Sequence, residues 1–570
     1  MKRRYQRTAS TMTSGGKQKP AKAERVRGEG RRRRGRIAVV CLLEPDHSSC
    51  NSAAAVTVAA LLAAGAVLAT RPAGPRAAPA HAATGPGGGT AAASRPGPGA
   101  GWVTVENRRR GTGGWRIGHL GARDAIEGWA DHVSAAQGER VRLYVSTTAA
   151  RFRVEAYRMG WYGGLGARLV WRSPRLPGRR QPPPVRTPGT NLVATVWPSS
   201  LSFTVGAGWP PGDYLLKLVA ASGQRFVPLT VRDDASHAAL VVQNDVTTWQ
   251  AYNLWGGYNL YRGPGGSVAT RSRVVSFDRP YDEAGEGAGD FLGDEYPLVR
   301  LVESLGLDVT YWTDVDLHEH PERLLAHRAL VSLGHDEYWS TRMRRGAEAA
   351  RDLGVNLAFF GANAVFRHIR LQASRTGADR EEVNYKPWSA RDDPAWRNDP
   401  AEVTTDWREP PLNDPESRLL GDLYECNPVD AAGVVVEPSA WLLAGARVRA
   451  GTVLPGLVGP EYDRVQALAP RPPGVVLLLH SPVRCRGRPS FADVTWYTAP
   501  SGAGVFDAGT SSWVCQLDRA CAGGRRSPTT ALVVRAVTVN VLRAITAGPA
   551  GRLHPSRSNL ARFRIHPSGL

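Results

Sequence analysis

Three short runs in this 570-residue chain gather residue types that can do chemistry, and each follows an apolar stretch. After VVQ, residues 244–263 read NDVTTWQAYNLWGGYNLYRG, crowding Trp249, Tyr252, Trp255, Tyr258 and Tyr261 beside a glycine pair. After ALVSLG come His335, Asp336, Glu337, Tyr338 and Trp339, with Ser340 placed to cap a following helix. After LAFFGAN, which ends at Asn363, comes the aromatic–basic stretch FRHIR. An imidazole and a carboxylate at a strand end can hold a metal or work as acid and base. Two further acidic loops join them. GPEYDR (459–464) carries Glu461 and Asp463, which share a face if the segment is extended. SFDRPYD (276–282) carries Asp278, Arg279 and Tyr281. No G-x-S-x-G elbow, P-loop, HExxH or strand-linked G-x-G-x-x-G occurs, so serine-hydrolase, NTPase and dinucleotide-enzyme readings lose support.

The elements that must position these residues divide the chain. Residues 101–235 alternate apolar and polar in RVRLYVST, RFRVEAYR and DYLLKLVA, with Gly, Pro and Asn clusters between, which predicts a β-sandwich. From 236 the texture changes. HAALVVQ and VNLAFFGAN read as strands buried on both faces, while YPLVRLVESLG and MRRGAEAARDLG have helical period and a glycine stop. Strand and helix alternate, so residues 236–548 are expected to form an α/β layer on a mainly parallel, flavodoxin-like sheet, with sites at the carboxyl ends of strands. TALVVRAVTVNVLRAI (530–545) reads as a last helix, and 549–570 as a tail.

The net charge is +21, but residues 1–36 alone hold 14 Lys and Arg against Glu24 and Glu29. No basic stripe interleaved with aromatics occupies the rest, which argues against a nucleic-acid partner. Residues 1–100 read as a basic leader, an apolar segment (53–69), a small-residue cleavage site near Ala83 and a Gly/Pro linker. The expectation is a secreted or cell-surface protein with a cleaved leader; the rival is an uncleaved 53–69 anchor, which would be its only membrane contact. Four cysteines follow the leader. Cys515 and Cys521 are close enough to clip a short loop, which leaves Cys426 for Cys485.

TWQAYNLWGGYNLY, VSFDRPYD, GDFLGDEYPLVRLVESLGLDVTYWTDVDLH, SLGHDEYWS, NLAFFGANAVFRHIR and GPEYDR resemble the C-terminal domain of the large (beta) subunit of N,N-dimethylformamidase. The resemblance implies a fold like that of class I glutamine amidotransferases. It implies hydrolysis of a small amide at one Fe(3+) held by two tyrosines and one glutamate. Matched by motif, Glu337 is the carboxylate ligand, Tyr252 the first tyrosine, and His335 and Glu461 the catalytic pair beside the metal. Phe277 stands where the second tyrosine would be, and Tyr281, four residues on, is its substitute. Trp249, Trp255, Tyr258 and Asn363 are the expected substrate contacts. The alternative is an exported, non-catalytic ligand-binding protein on the same fold, with the aromatic run as a wall for a saccharide.

Overall fold

In the sandwich, period two sends neighbouring leucines to different cores. In the strand Gly212–Ala220, Leu216 and Leu218 point into a core with Ile126, Leu143, Val154 and Phe203, while Leu215 points the other way. The strand is buried on both faces, and its Lys217 is satisfied there by the Gly114 and Arg116 carbonyls at 3.0 and 2.7 Å. It lies between Arg151–Met159 and Gly223–Arg232, antiparallel to both, in a six-stranded sheet. A three-stranded sheet of Ile126–Ala130, Arg140–Thr147 and Leu201–Thr204 closes the other side. Phe203, Trp209 and Tyr214 stack at centroid separations of 5.5 and 5.0 Å and plug one end.

The computed structural model describes residues 101–518 and 527–565, all in one unit. The leader, the 53–69 segment and Cys521 lie outside the described residues.

The largest sheet has seven strands: β1 (Leu240–Asn244), β2 (Val309–Thr313), β3 (Ala329–Ser332), β4 (Asn356–Phe359), β5 (Val476–Cys485), β6 (Arg488–Thr498) and β7 (Gly504–Asp507). Their order is β2-β1-β3-β4-β7-β6-β5. The first five run parallel, and β6 and β5 extend the sheet as a long antiparallel hairpin. Four helices matter to the site and its support: α1 (Val246–Tyr252), α2 (Tyr296–Ser304), α3 (Thr341–Asp352) and α4 (Pro528–Ala547). Ser340 caps α3 by accepting from the Met343 amide at 3.3 Å. Among the described residues α4 is the one helix long and apolar enough to cross a membrane, and its Val534, Val541 and Ile545 lie in the core beside the sheet.

This architecture corrects the expected flavodoxin-like, glutamine-amidotransferase-like parallel α/β fold. Among the described residues strands dominate and fall into seven sheets, each of them antiparallel or mixed. The physical reason lies in what covers the main sheet. Leu240, Val242 and Tyr311 share one core with Tyr157, Met159, Leu215 and Phe226, so part of one face is roofed by the six-stranded sheet and not by helices alone. A strand covered by another sheet is as apolar as one covered by helices, and the run of residues does not distinguish them. A buried ion pair pins the junction: Arg158 from the sandwich meets Glu303 of α2 at 2.5 Å, and the Tyr311 hydroxyl donates to the same carboxylate at 2.6 Å.

Candidate active site

β1 ends at Asn244 and the chain turns straight into α1, whose last residue is Tyr252. The backbone then reverses over Trp255–Gly257, where Gly256 and Gly257 take φ of 76° and 83°, a region open to glycine at little cost. On the way back the Leu260 amide donates to the Ala251 carbonyl at 3.0 Å. Asn259 clamps the return: its Nδ2 donates to the Tyr252 carbonyl at 2.7 Å, and its Oδ1 accepts from the Tyr261 amide at 2.9 Å. Tyr261 is thereby laid on Tyr252, ring centroids 4.3 Å apart.

Both phenols reach Glu337, the third residue of the HDE run that follows β3. The Tyr252 hydroxyl donates to Glu337 Oε2 at 2.7 Å. The Tyr261 hydroxyl is 2.7 Å from the same oxygen and 2.6 Å from the Tyr252 hydroxyl. The Glu337 amide donates to Thr248 of α1 at 3.0 Å, and Arg367 Nε donates to Glu337 Oε1 at 3.1 Å. Tyr338 completes the cluster by donating to the Tyr261 hydroxyl at 2.7 Å. Burial first, then the Glu337 charge, holds Tyr252, Tyr261 and Tyr338 well above the usual phenol range. Lys386 Nζ sits 3.0 Å from the Tyr261 ring centroid, buried and without a hydrogen-bond partner, and burial pushes its ammonium well below the usual lysine range.

His335 stands at the edge of this cluster. Its Nε2 is 3.0 Å from Glu461 Oε2 and 3.5 Å from Glu337 Oε2. Two amides fix Glu461: Asn363 Nδ2 donates at 3.1 Å and Asn427 Nδ2 at 2.7 Å. Burial works against a charged imidazole, but Glu461, Glu337 and Asp294 outweigh it and push His335 up to about 10. Burial likewise works against the Glu461 charge, and His335 and the two amides overcome it, leaving that carboxyl below its ordinary value. The pair is therefore an imidazolium beside a carboxylate. A cavity of about 90 Å³ opens against His335 and Tyr252, lined also by Thr248, Trp249, Asp290, Asp294 and Glu295. Burial raises Asp290 to about 7 and Asp294 to about 6. That space holds a few waters or a molecule of a handful of heavy atoms.

A family model described as N,N-dimethylformamidase beta subunit-like, C-terminal, matches residues 153–525, more than half of the chain. The chain belongs to this family. No curated protein matches. Among solved structures, a chimeric titin Z1Z2-Z1Z2 tandem functionalized with a GRGDS peptide from fibronectin is 16% identical, with a TM-score of 0.11. That match covers 19% of this chain and 52% of the other, about half its length, and the likeness carries no argument.

In this family member the structure brings together Tyr252, His335, Glu337, Asn363 and Glu461. Trp249 joins them from below, its Nε1 donating to Glu295 at 2.6 Å. Tyr281 does not reach Glu337: its ring packs on Trp249 at 6.2 Å and lines a second cavity of about 570 Å³. Phe277 is a core residue with Arg380 over its ring at 5.5 Å. Trp255 lines the second cavity and donates to Glu127 at 2.7 Å, and Tyr258 faces Arg186 at 5.9 Å, so the aromatic run serves two places and is not one wall. Cys426 and Cys485 are bonded, and Cys515 is also disulfide-bonded. Sequence reasoning missed Tyr261 as a partner of Glu337, along with Asp290, Asp294, Arg367, Lys386 and Asn427. The doubled glycine beside Tyr261 was the available signal for the first.

Proposed function

We propose that the protein is an exported, metal-dependent hydrolase of C–N bonds in small amides. The observation that carries the proposal is the convergence of the Tyr252 and Tyr261 hydroxyls on one oxygen of Glu337, each at 2.7 Å. Membership of the dimethylformamidase-like family supports the amide-hydrolase relationship. The apolar leader and the Cys426–Cys485 disulfide support export.

Two phenols and a carboxylate form a hard, anionic oxygen set, which fits Fe(3+). The phenol and carboxylate oxygens are packed as closely as ligands around one ion. The phenols stay protonated while only Glu337 faces them, so the binding step is their deprotonation. Bound there, the ion would polarise an amide carbonyl and acidify water. The rest falls to the chain's own groups. The 90 Å³ cavity admits a small amide and excludes a large one. His335 holds a proton at Nε2 for the departing amine nitrogen, and Glu461 keeps that imidazole charged and oriented. The proton lost by the attacking water restores the pair, so one water is consumed and one acid and one amine are released.

The test is metal content and visible absorbance of the purified protein, with amine release from N,N-dimethylformamide and related small amides. Near-stoichiometric iron, a phenolate-to-iron band and turnover are expected. A colourless protein that takes up no iron and releases no amine sinks the reading. The alternative, a non-catalytic saccharide-binding protein, draws on the larger cavity beside Trp255 and requires ligand binding there without amine release.

A further inference from the structure

Away from the tyrosines, three aspartates meet where three segments cross. Asp422 precedes the strand Leu423–Cys426, Asp463 lies in Tyr462–Arg464, and Asp507 ends β7. Each offers a carboxylate oxygen, and these oxygens lie within 4.8 Å of one another. All three residues are 0% exposed. Among the described residues no Lys, Arg or His pairs with any of them; the neighbouring Asp493 has His480 at 2.6 Å.

Their hydrogen bonds leave a remainder. Asp463 accepts the Asn363 amide on both oxygens, at 2.9 and 3.1 Å. Asp422 Oδ2 accepts from Thr495 at 3.0 Å, and Asp507 Oδ1 from the Gly509 amide at 2.9 Å. Asp422 Oδ1 and Asp507 Oδ2 are buried, and no N–H or hydroxyl donor reaches them. The two carboxyls hydrogen-bond each other directly, a contact that buried carboxylates make only with a proton or a cation between them. Buried carboxyls in contact repel one another when charged, so this point calls for a positive occupant.

We propose that Asp422, Asp463 and Asp507 bind one hard divalent cation. The donor set is oxygen alone and anionic, which selects the calcium and magnesium class over softer metals. Burial lifts Asp422 to about 7 and Asp463 and Asp507 well above the carboxylate range, with Asp422 the next cause for both, and a cation removes that repulsion. The ion ties the end of β7 to the segment carrying Glu461. It also secures Asp463, which holds the backbone of Asn363, whose side chain holds Glu461. The site does not depend on the iron reading.

The experiment uses the purified full chain, dialysed against a chelator and titrated with calcium, magnesium or manganese chloride. One equivalent of one of these is expected to bind and to raise the melting temperature by several degrees. Asp422→Asn is expected to weaken that binding roughly 100-fold while leaving the visible iron band unchanged. Tyr252→Phe should remove the band and spare the divalent ion, which separates the two readings. Wild-type protein that takes up none of the three at millimolar concentration, and melts at one temperature with or without them, overturns the proposal whether or not the variants fold. Undiminished binding by Asp422→Asn overturns it as well.

Discussion

The hydroxyl of Tyr261 lies 2.6 Å from that of Tyr252, because the glycine turn between them folds the loop back on itself. The second tyrosine beside Glu337 therefore comes from the same loop as the first. Tyr281, from the acidic loop further on, supports Trp249 instead.

This relationship separates two single-atom changes. With iron bound as proposed, Tyr261→Phe would remove one of its ligands and is expected to lower iron affinity at least about 10–100-fold and abolish or shift the visible band. Tyr281→Phe keeps the band and the iron content. Metal analysis with absorbance spectra on the two purified variants decides it, and equal iron content in both would place the metal elsewhere.

The imidazolium–carboxylate pair makes a kinetic prediction. Glu461→Gln keeps an acceptor for one of the two asparagine amides and removes the charge that holds His335 protonated. The expected loss is in kcat, roughly 10²–10⁴-fold, with iron retained. A variant with unchanged kcat would show that His335 and Glu461 are not the proton carriers.

Stability is expected to hinge on the Arg158–Glu303 pair, which is 0% exposed on both sides. Glu303→Gln leaves a guanidinium without its counter-charge and is expected to cost roughly 3–5 kcal/mol. Replacing both partners with apolar residues of similar volume should recover much of that. Denaturant midpoints for the single and double variants measure it, and a single variant as stable as wild type refutes it.

His368 supplies a pH dependence. Its imidazole is buried, with Nδ1 against the Val403 carbonyl at 2.8 Å and Nε2 against Thr341 at 2.8 Å. Burial pushes it down to about 4 from an ordinary value of 6.5. Between those values the unfolded chain holds the proton that the folded chain refuses. Its contribution is therefore whole above pH 6.5 and is lost as pH falls toward 4, by roughly 3 kcal/mol at most. His368→Gln should flatten the fall in stability across that window relative to wild type. An equal loss of unfolding free energy between pH 7 and pH 4.5 in wild type and variant, read from urea titrations, would refute this.

How much of this was legible depends on range along the chain. α2 and α3 stand where 3.6-residue period and a glycine stop put them, and β1 and β4 where continuous apolar runs lie. Strand ends pointed to Tyr252, His335 and Glu337, since a residue after a buried strand has few places to go. Tyr261 was hidden because its position depends on two left-handed glycines and the Asn259 clamp, a backbone reversal that no periodicity announces. Lys386 was hidden too, as a single lysine in an irregular stretch with φ of 53°. The fold class was misread because apolarity reports that a strand is covered and not what covers it.

Leu215, Tyr157 and Phe226 belong to the same core as β1 and β2, so the sandwich and the main sheet each complete the other's interior. Cutting near residue 235 would expose a greasy face on both fragments. The N-terminal half is thus no detachable cassette, to be swapped between proteins or expressed alone as a soluble fragment. Insertions are better tolerated at surface loops than at this seam, where the change in sequence texture suggests a joint and the packing supplies a weld.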